Sequence, residues 1–391
     1  MSAVYNLELQ RFLARGRVDP AQPPPDVSIG RDSVRDRLDS IAALGRTVLF
    51  CTGFDSMKRV GAHRKCLELF SSRGISVREL SGIGMNPSLE RIDEAIEIAR
   101  GGKIDFIFCL GGGSVIDTGK AVSVGLFGDL WVYVNEPARI EKAVPVVACT
   151  TTSGTGSHVT PYAVITNSAT KEKKTLKHPL LLPRLSLVNT DLLRHIPATL
   201  TATTGFDVLC HAIEVFTRKD CDSLTADLSL RAIALVGKHL VGAFRGHDDT
   251  DRTGMAYADI FAGMALGRRG THLAHAISHP ISGRFPEISH GQALASISIA
   301  SIEHQLRGSD RETKRRYAML GSALSGDDDL VGALRRLIRD LQLDRNPTRL
   351  EAKDLQLIYQ DTLRYRWESA AKCPVPVEPG HVWKIISESL G

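Results

Sequence analysis

The sequence predicts an α/β N-terminal domain built on a Rossmann-like parallel sheet, followed by an all-α C-terminal domain. Three observations predict it. The chain has 391 residues, more than one hydrophobic core usually supports. Short β-branched runs alternate with amphipathic stretches through the first half, the βαβ rhythm of a parallel sheet flanked by helices. From about Pro197 strand signals almost vanish and helical periodicity takes over. The boundary therefore falls near residue 196, with an α/β domain over 1–196 and an all-helical domain over 197–391.

Element by element, a proline-rich entry (AQPPPDVSIG) leads into TVLFCTG at 47–53, read as the first strand. A helical pattern runs from Arg59 to Arg73, then the strand ISVREL, then a helix from Ile92 to Arg100. DFIFCLGGGSVIDTGKAVSV reads as a buried strand, a glycine turn and a helix start, and VPVVACTTTSGTG as a strand ending in a polar loop. Helical segments follow at Ala226–Val241, Met255–Leu266, Arg311–Leu324 and Leu330–Leu341, with HDDTDR between two of them as a solvated loop.

Composition narrows the function classes. Hydrophobic residues at 43% and charged residues at 24% are the balance of a globular enzyme. The net charge of +5 is spread without a basic block, which argues against nucleic-acid and membrane-surface roles. No apolar stretch approaches the ~20 residues of a bilayer span. The N-terminal MSAVYNLELQRFLARGR is interrupted by acidic and polar residues before it reaches signal-peptide length, and the seven scattered cysteines contain no C-x-x-C pair. A cytoplasmic protein with reduced thiols is expected, and a homodimer or larger homo-oligomer with it.

Two patterns carry chemistry. Gly111, Gly112 and Gly113 directly follow a strand, and Ser114 begins a helix continuing through Asp117 and Lys120. Such a turn lets backbone N–H groups approach a pyrophosphate at a helix N-terminus. The hydroxyl-rich loop from Thr150 to Ser157 lies at another strand's carboxyl end, where open α/β sheets bind ligands. In the second half, Asp207 and His211 stand four apart in GFDVLCHAIEVF, and His275 and His279 repeat that spacing in HLAHAISHPISG, with His290 following in SHG. Residues four apart share a helix face, so this set can surround an ion. Without thiolates it favours Fe²⁺ or Zn²⁺ and leaves room for a substrate oxygen. His272 is read as lying behind the ligands or at the surface; Glu214, three residues after His211, can turn inward, with an exposed or helix-packing role ahead of that.

Together, GGGSVIDTGK, TTSGTGS, the D-x-x-x-H-A-x-E run and the HAxxHP…HG run resemble the iron-containing (group III) alcohol dehydrogenase family, from about Val27 to the last helices. The resemblance implies a dehydroquinate synthase-like fold and a metal-dependent NAD(P)-linked alcohol dehydrogenase or aldehyde reductase. It implies metal ligands at Asp207, His211, His275 and His290, with Fe²⁺ ahead of Zn²⁺. His279 would stand near the reacting oxygen, where it or a water beside it relays the proton. Cofactor contacts would fall on Gly111, Gly112, Gly113, Ser114, Asp117, Thr151, Thr152 and Thr155.

Four departures from the family pattern stand out. Thr150 replaces a common proline, and His158 a common glutamate. The interval from His279 to His290 is about one residue longer than usual and contains Arg284. Gly53 stands where NAD-preferring members often carry aspartate, so no carboxylate repels a 2′-phosphate and NADPH is favoured. Arg284, with Arg268 and Arg269, makes an anionic aldehyde such as phosphonoacetaldehyde a candidate substrate beside simple alcohols. Two rivals are a same-fold polyol-phosphate dehydrogenase or dehydroquinate synthase-like lyase, and a non-catalytic binding protein on this scaffold. The aspartate ligand and HAxxHP argue against the first, and the complete ligand set against the second.

Overall fold

The computed structural model describes residues 26–246, 248–344 and 350–391; the prolines of the entry segment and His247 lie outside the described residues. The chain forms two compact units. The first runs to Thr152 and resumes over Gly156–Ile196; the second comprises Ser153–Thr155 and the chain from Pro197 onward.

Among the described residues the first unit holds eight strands: β1 (Val27–Gly30), β2 (Thr47–Thr52), β3 (Ser76–Leu80), β4 (Phe106–Gly111), β5 (Val146–Thr150), β6 (Tyr162–Asn167), β7 (Glu172–Lys177) and β8 (Leu185–Asn189). Six form one parallel sheet in the order β1-β8-β5-β4-β2-β3, and β6 pairs with β7 in an antiparallel hairpin. Every residue of β4 and β5 is buried, as continuous apolar runs require when helices cover both faces. Alternation along β4 sorts its side chains: Ile107 and Cys109 face one core layer, with Ile96 and Val122, while Phe106, Phe108 and Leu110 face the other, with Phe50 and Phe70. Three helices of this unit matter below: α1 (Ala62–Ser72), α2 (Leu89–Gly102) and α3 (Gly113–Gly125).

Several expectations need correction here. TVLFCTG is the second strand, because the four-residue edge strand β1 precedes it. The helix expected from Arg59 to Arg73 is interrupted at Gly61, whose φ of 76° is left-handed, so α1 starts at Ala62. The hairpin and β8 were not expected from the sequence.

The second unit is helical: α4 (Ala198–Thr217), α5 (Ser223–Arg245), α6 (Asp249–Arg269), α7 (Leu273–Arg284), α8 (His290–Arg307), α9 (Arg311–Ser325), α10 (Leu330–Asp340), α11 (Ala352–Asp361) and α12 (Pro379–Leu390). HDDTDR is not wholly a loop. Asp248 caps α6 by accepting the Thr250 N–H, and the helix takes in the rest of the motif, as expected of aspartate at an N-terminus. Every residue of α4 from Gly205 to Thr217 is buried. This makes it the central helix of its unit and places Asp207, His211 and Glu214 in the interior. Among the described residues, no helix is long and apolar enough to cross a membrane.

The glycine of SHG has a steric cause. A Cβ on Gly291 would lie 2.0 Å from the carbonyl oxygen of Thr203, so the first turn of α8, which carries His290, rests directly on the α4 backbone. Gly291→Ala should therefore destabilise the protein by about 1–3 kcal/mol through overpacking and should weaken divalent-metal binding by displacing His290. Urea unfolding and metal titration check this; unchanged values for both would show that the contact is slack.

Candidate metal centre and nucleotide cradle

The nucleotide side is built from the carboxyl ends of parallel strands. Gly111 ends β4 and pairs with Thr150 on β5, while Thr52, just before Gly53, pairs with Leu110. Gly53, the glycine turn and Thr150–Thr152 thus share the sheet edge where ligands bind. Gly112 precedes α3 in an extended conformation and Gly113 opens it, so the first N–H groups of a thirteen-residue helix have no intrahelical partner. The cradle is one a side chain would fill: a Cβ on Gly111 would meet Val115 at 2.5 Å, and one on Gly112 would meet Thr152 Oγ1 at 3.2 Å. The Thr151 N–H donates to the Gly111 carbonyl at 3.1 Å, fixing the loop to the turn. These residues fit a pyrophosphate.

One residue expected at the cofactor, Asp117, is placed differently. Asp117 is buried, and its carboxylate accepts from the Ser157 hydroxyl and from the Val164 N–H, at 2.5 and 3.0 Å. Lys120, fully buried one turn later, donates to the Ser157, Thr160 and Tyr162 carbonyls. Both side chains strut the following loop and hairpin, so Asp117 is turned away from a phosphate role. Thr155 is exposed and belongs with Ser153 and Gly154 to the helical unit, whereas Thr151 and Thr152 belong to the sheet unit. His158 is buried and neutral: burial, and then the Lys120 charge, push its pKa down to about 3.

The metal side lies within the helical unit. One oxygen of Asp207, Oδ1, is 3.5 Å from His211 Nε2, 3.3 Å from His275 Nε2 and 3.7 Å from His290 Nε2. Corners of a tetrahedron with bonds of about 2.1 Å are about 3.4 Å apart, so the donors already have ligand spacing. Asp207, His211 and His275 each place a ligand atom within 4.8 Å of the others, and all three are buried. His290 joins through its contact with Asp207. The His211 and His275 rings stack at 4.6 Å, and the His279 ring lies 5.1 Å from that of His290. His279 is thus beside the ligand set without sharing the aspartate contact. Such a donor set of nitrogen and oxygen can hold Fe²⁺ or Zn²⁺.

Glu214 departs from expectation. One turn past His211 it is buried, and its carboxylate accepts the backbone N–H groups of His272, Ala274 and His275 at 3.3, 2.6 and 3.3 Å. These are the orphan donors of the α7 N-terminus. The same carboxylate takes His275 Nδ1 and lies 3.0 Å from His272 Nδ1. A carboxylate only accepts, so Nδ1 of His275 carries its proton and Nε2 is the atom turned to Asp207. His272 is likewise buried, with Nε2 2.8 Å from Thr217 Oγ1.

The electrostatics follow from this crowding. Burial raises the Asp207 carboxyl, but His211, His290 and His275 outweigh it and hold the group well below the carboxylate range. Burial likewise opposes ionisation of Glu214, and His272 and His275 reverse the balance. His211 is pushed down to about 4 by burial. Burial lowers His275 too, yet Glu214 and Asp207 lift it to about 9.

Arg284 is a correction. Its guanidinium grips Asp361 at the end of α11 through Nε and Nη2, at 2.6 and 2.9 Å. Arg268 and Arg269 both pair with Asp222, at 3.1 and 2.6 Å. All three are engaged with aspartates of the protein itself. A second arginine, unnoticed in the sequence because no motif surrounds it, reaches the site: Arg366 Nη2 lies 2.9 Å from His279 Nδ1.

The Glu214 arrangement makes a prediction. Glu214→Gln keeps the shape but surrenders the charge that orients His275, so divalent-metal affinity should fall about 10–100-fold with little change in helix content. Chelator competition with circular dichroism checks this, and unchanged affinity would reduce Glu214 to a helix cap.

Comparison with known proteins agrees with this geometry. The family model for iron-containing alcohol dehydrogenase matches residues 24–190, and the model for the C-terminal part of that family matches residues 201–370. The chain is 29% identical over 335 residues to an NADPH-dependent butanol dehydrogenase of Clostridium saccharobutylicum, covering 81% of this chain and 82% of that one. It is 30% identical over 308 residues to the 1,3-propanediol dehydrogenase of Klebsiella pneumoniae, covering 76% and 79%. Among solved structures, an archaeal halo-thermophilic alcohol dehydrogenase from a Red Sea brine pool is similar with a TM-score of 0.90 and 34% identity, covering 96% of this chain and all of that one. An iron-containing alcohol dehydrogenase from Thermotoga maritima is similar with a TM-score of 0.85 and 26% identity, over 94% and 98% of the two chains. A buried aspartate ringed by histidines on one unit, a glycine cradle on the other and both halves of the family pattern in order place this chain in the iron-containing alcohol dehydrogenase family.

Proposed function

We propose that this chain is a cytosolic, NAD(P)-linked alcohol dehydrogenase or aldehyde reductase for small neutral alcohols and their aldehydes, with an NADPH preference. The observation that carries the reading is the approach of three imidazoles to one buried oxygen of Asp207. Asp207, His211, His275 and His290 would hold Fe²⁺ or Zn²⁺, and a bound ion of this type supplies Lewis acidity at a substrate oxygen. Gly111, Gly112, Gly113 and Ser114, with Thr151 and Thr152, would receive the pyrophosphate of the nicotinamide cofactor, which supplies the hydride. In this reading the sheet unit is the dinucleotide-binding part and the helical unit the metal part.

The chain's own residues prepare both sites. Glu214 fixes the tautomer and angle of His275; Gly291 seats His290 against α4; the Asp117 and Lys120 struts hold the loop beyond the cradle. Gly53 supports NADPH, since it brings no carboxylate and a Cβ built there meets nothing nearer than the Ile83 carbonyl oxygen at 3.6 Å. The small alcohols named for the relatives, butanol and 1,3-propanediol, support a neutral substrate. With Arg284 committed to Asp361, phosphonoacetaldehyde loses the residue that recommended it.

Protein loaded with Fe²⁺ or Zn²⁺ and offered propanal, butanal or phosphonoacetaldehyde with NADH or NADPH tests the proposal. Metal-dependent nucleotide oxidation is expected with the neutral aldehydes, faster with NADPH, and nearly absent in Asp207→Ala. Undiminished turnover in Asp207→Ala would refute the metal assignment. Faster turnover of phosphonoacetaldehyde would refute the substrate class.

A further inference from the structure

The helical unit ties α7 to the chain near residue 361 at two places. At the C-terminal end of α7, Arg284 holds Asp361 through two bonds. One turn earlier on α7, His279 meets Arg366. Asp361 closes α11, and the next five residues, Thr362–Arg366, form a π-helical turn. Such turns are uncommon and recur at functional sites because the extra residue re-aims side chains. Here the Arg284 bond fixes the start of the π turn and the turn delivers the Arg366 guanidinium to the imidazole.

The chemistry of that contact is unambiguous in direction. A guanidinium has N–H donors and no acceptor, and it stays charged in proteins. Burial lowers the Arg366 pKa to about 10, still protonated at neutral pH. At 2.9 Å, Nη2 must donate and His279 Nδ1 must accept. A neutral imidazole with its Nδ1 lone pair engaged carries its single proton on Nε2.

We propose that Arg366 is a positioning residue that locks His279 in the Nε2–H tautomer, making His279 a hydrogen-bond donor to the substrate oxygen and not the group that takes up its proton. The inference rests on the dehydrogenase reading of this unit and narrows it. Accepting a proton at Nε2 would require Nδ1 to keep or gain one, and the guanidinium occupies that position. When an alcohol becomes a carbonyl, the hydride leaves with the cofactor and the remaining proton passes to water. In the reverse direction water returns it. The shared role first expected for His279 or its neighbouring water thus divides: the imidazole orients and water carries the proton.

Nitrogen-15 NMR of histidine-labelled protein reads the tautomer directly, in the metal-free and the Zn²⁺-loaded forms, with the His279 resonances identified by their loss in His279→Gln. The wild type should show a protonated Nε2 and a bare Nδ1 at neutral pH in both forms. A protonated Nδ1, whether in the other tautomer or as imidazolium, would overturn the proposal even if the protein proves to have no dehydrogenase activity, which separates its failure from that of the functional reading. Arg366→Met should let the tautomers mix and lower kcat about 10–100-fold, the loss of one charge-assisted bond, while KM for the nucleotide stays put. Arg366→Lys, which still donates, should recover most of both. Full kcat in a folded Arg366→Met would also contradict the proposal.

Discussion

The helical unit depends on keeping two carboxylates, Asp207 and Glu214, ionised in the interior of one helix. Both are buried, and seven residues apart on α4 they lie on one side of it. Isolated buried charges are too costly to retain unpaired. The surrounding elements are placed by that requirement: the α7 N-terminus and two histidines answer Glu214, and His211, His275 and His290 answer Asp207. His275 touches both carboxylates, one through each ring nitrogen, and so relays the position of Glu214 to the centre. The convergence of imidazoles on Asp207 and the packing of α4 against α7 have the same cause.

The sheet unit solves a simpler problem. A parallel sheet ends in a row of carboxyl termini, and at β4 the next helix begins after a single intervening glycine. Backbone N–H groups then face outward with no side chain over them. The polar residues behind this edge, Asp117 and Lys120, are spent on holding the loop that follows β5. In the proposed reading, recognition of an anion is left to the backbone, which is why glycine rather than lysine marks the turn.

What was legible in the sequence is what local spacing encodes. The βαβ rhythm, the glycine turn and the i,i+4 pairs are read from neighbours along the chain, and they located the sheet strands β2 to β5 and the residues that converge at Asp207. β1, a run of four residues, and β8, which at five residues is as long as β3 and β5, were not read as strands. The role of Glu214 was missed because its spacing shows which face it occupies but not that the α7 N-terminus lies over that face. Arg284 was misread for the same reason. Its partner is Asp361, 77 residues away, and Arg366 meets His279 across 87 residues. Pairings over such separations belong to tertiary packing, and a π turn that re-aims one arginine leaves no pattern in composition or periodicity.

The central claim is that one aspartate and three histidines of the helical unit form a metal site without sulfur. X-ray absorption at the metal edge of Zn²⁺-loaded protein tests it most directly. The account predicts a shell of nitrogen and oxygen only, at about 2.0–2.2 Å, with outer-shell scattering from three imidazole rings that falls to two in His290→Ala. A sulfur neighbour at about 2.3 Å, or imidazole scattering unchanged by that substitution, would contradict it.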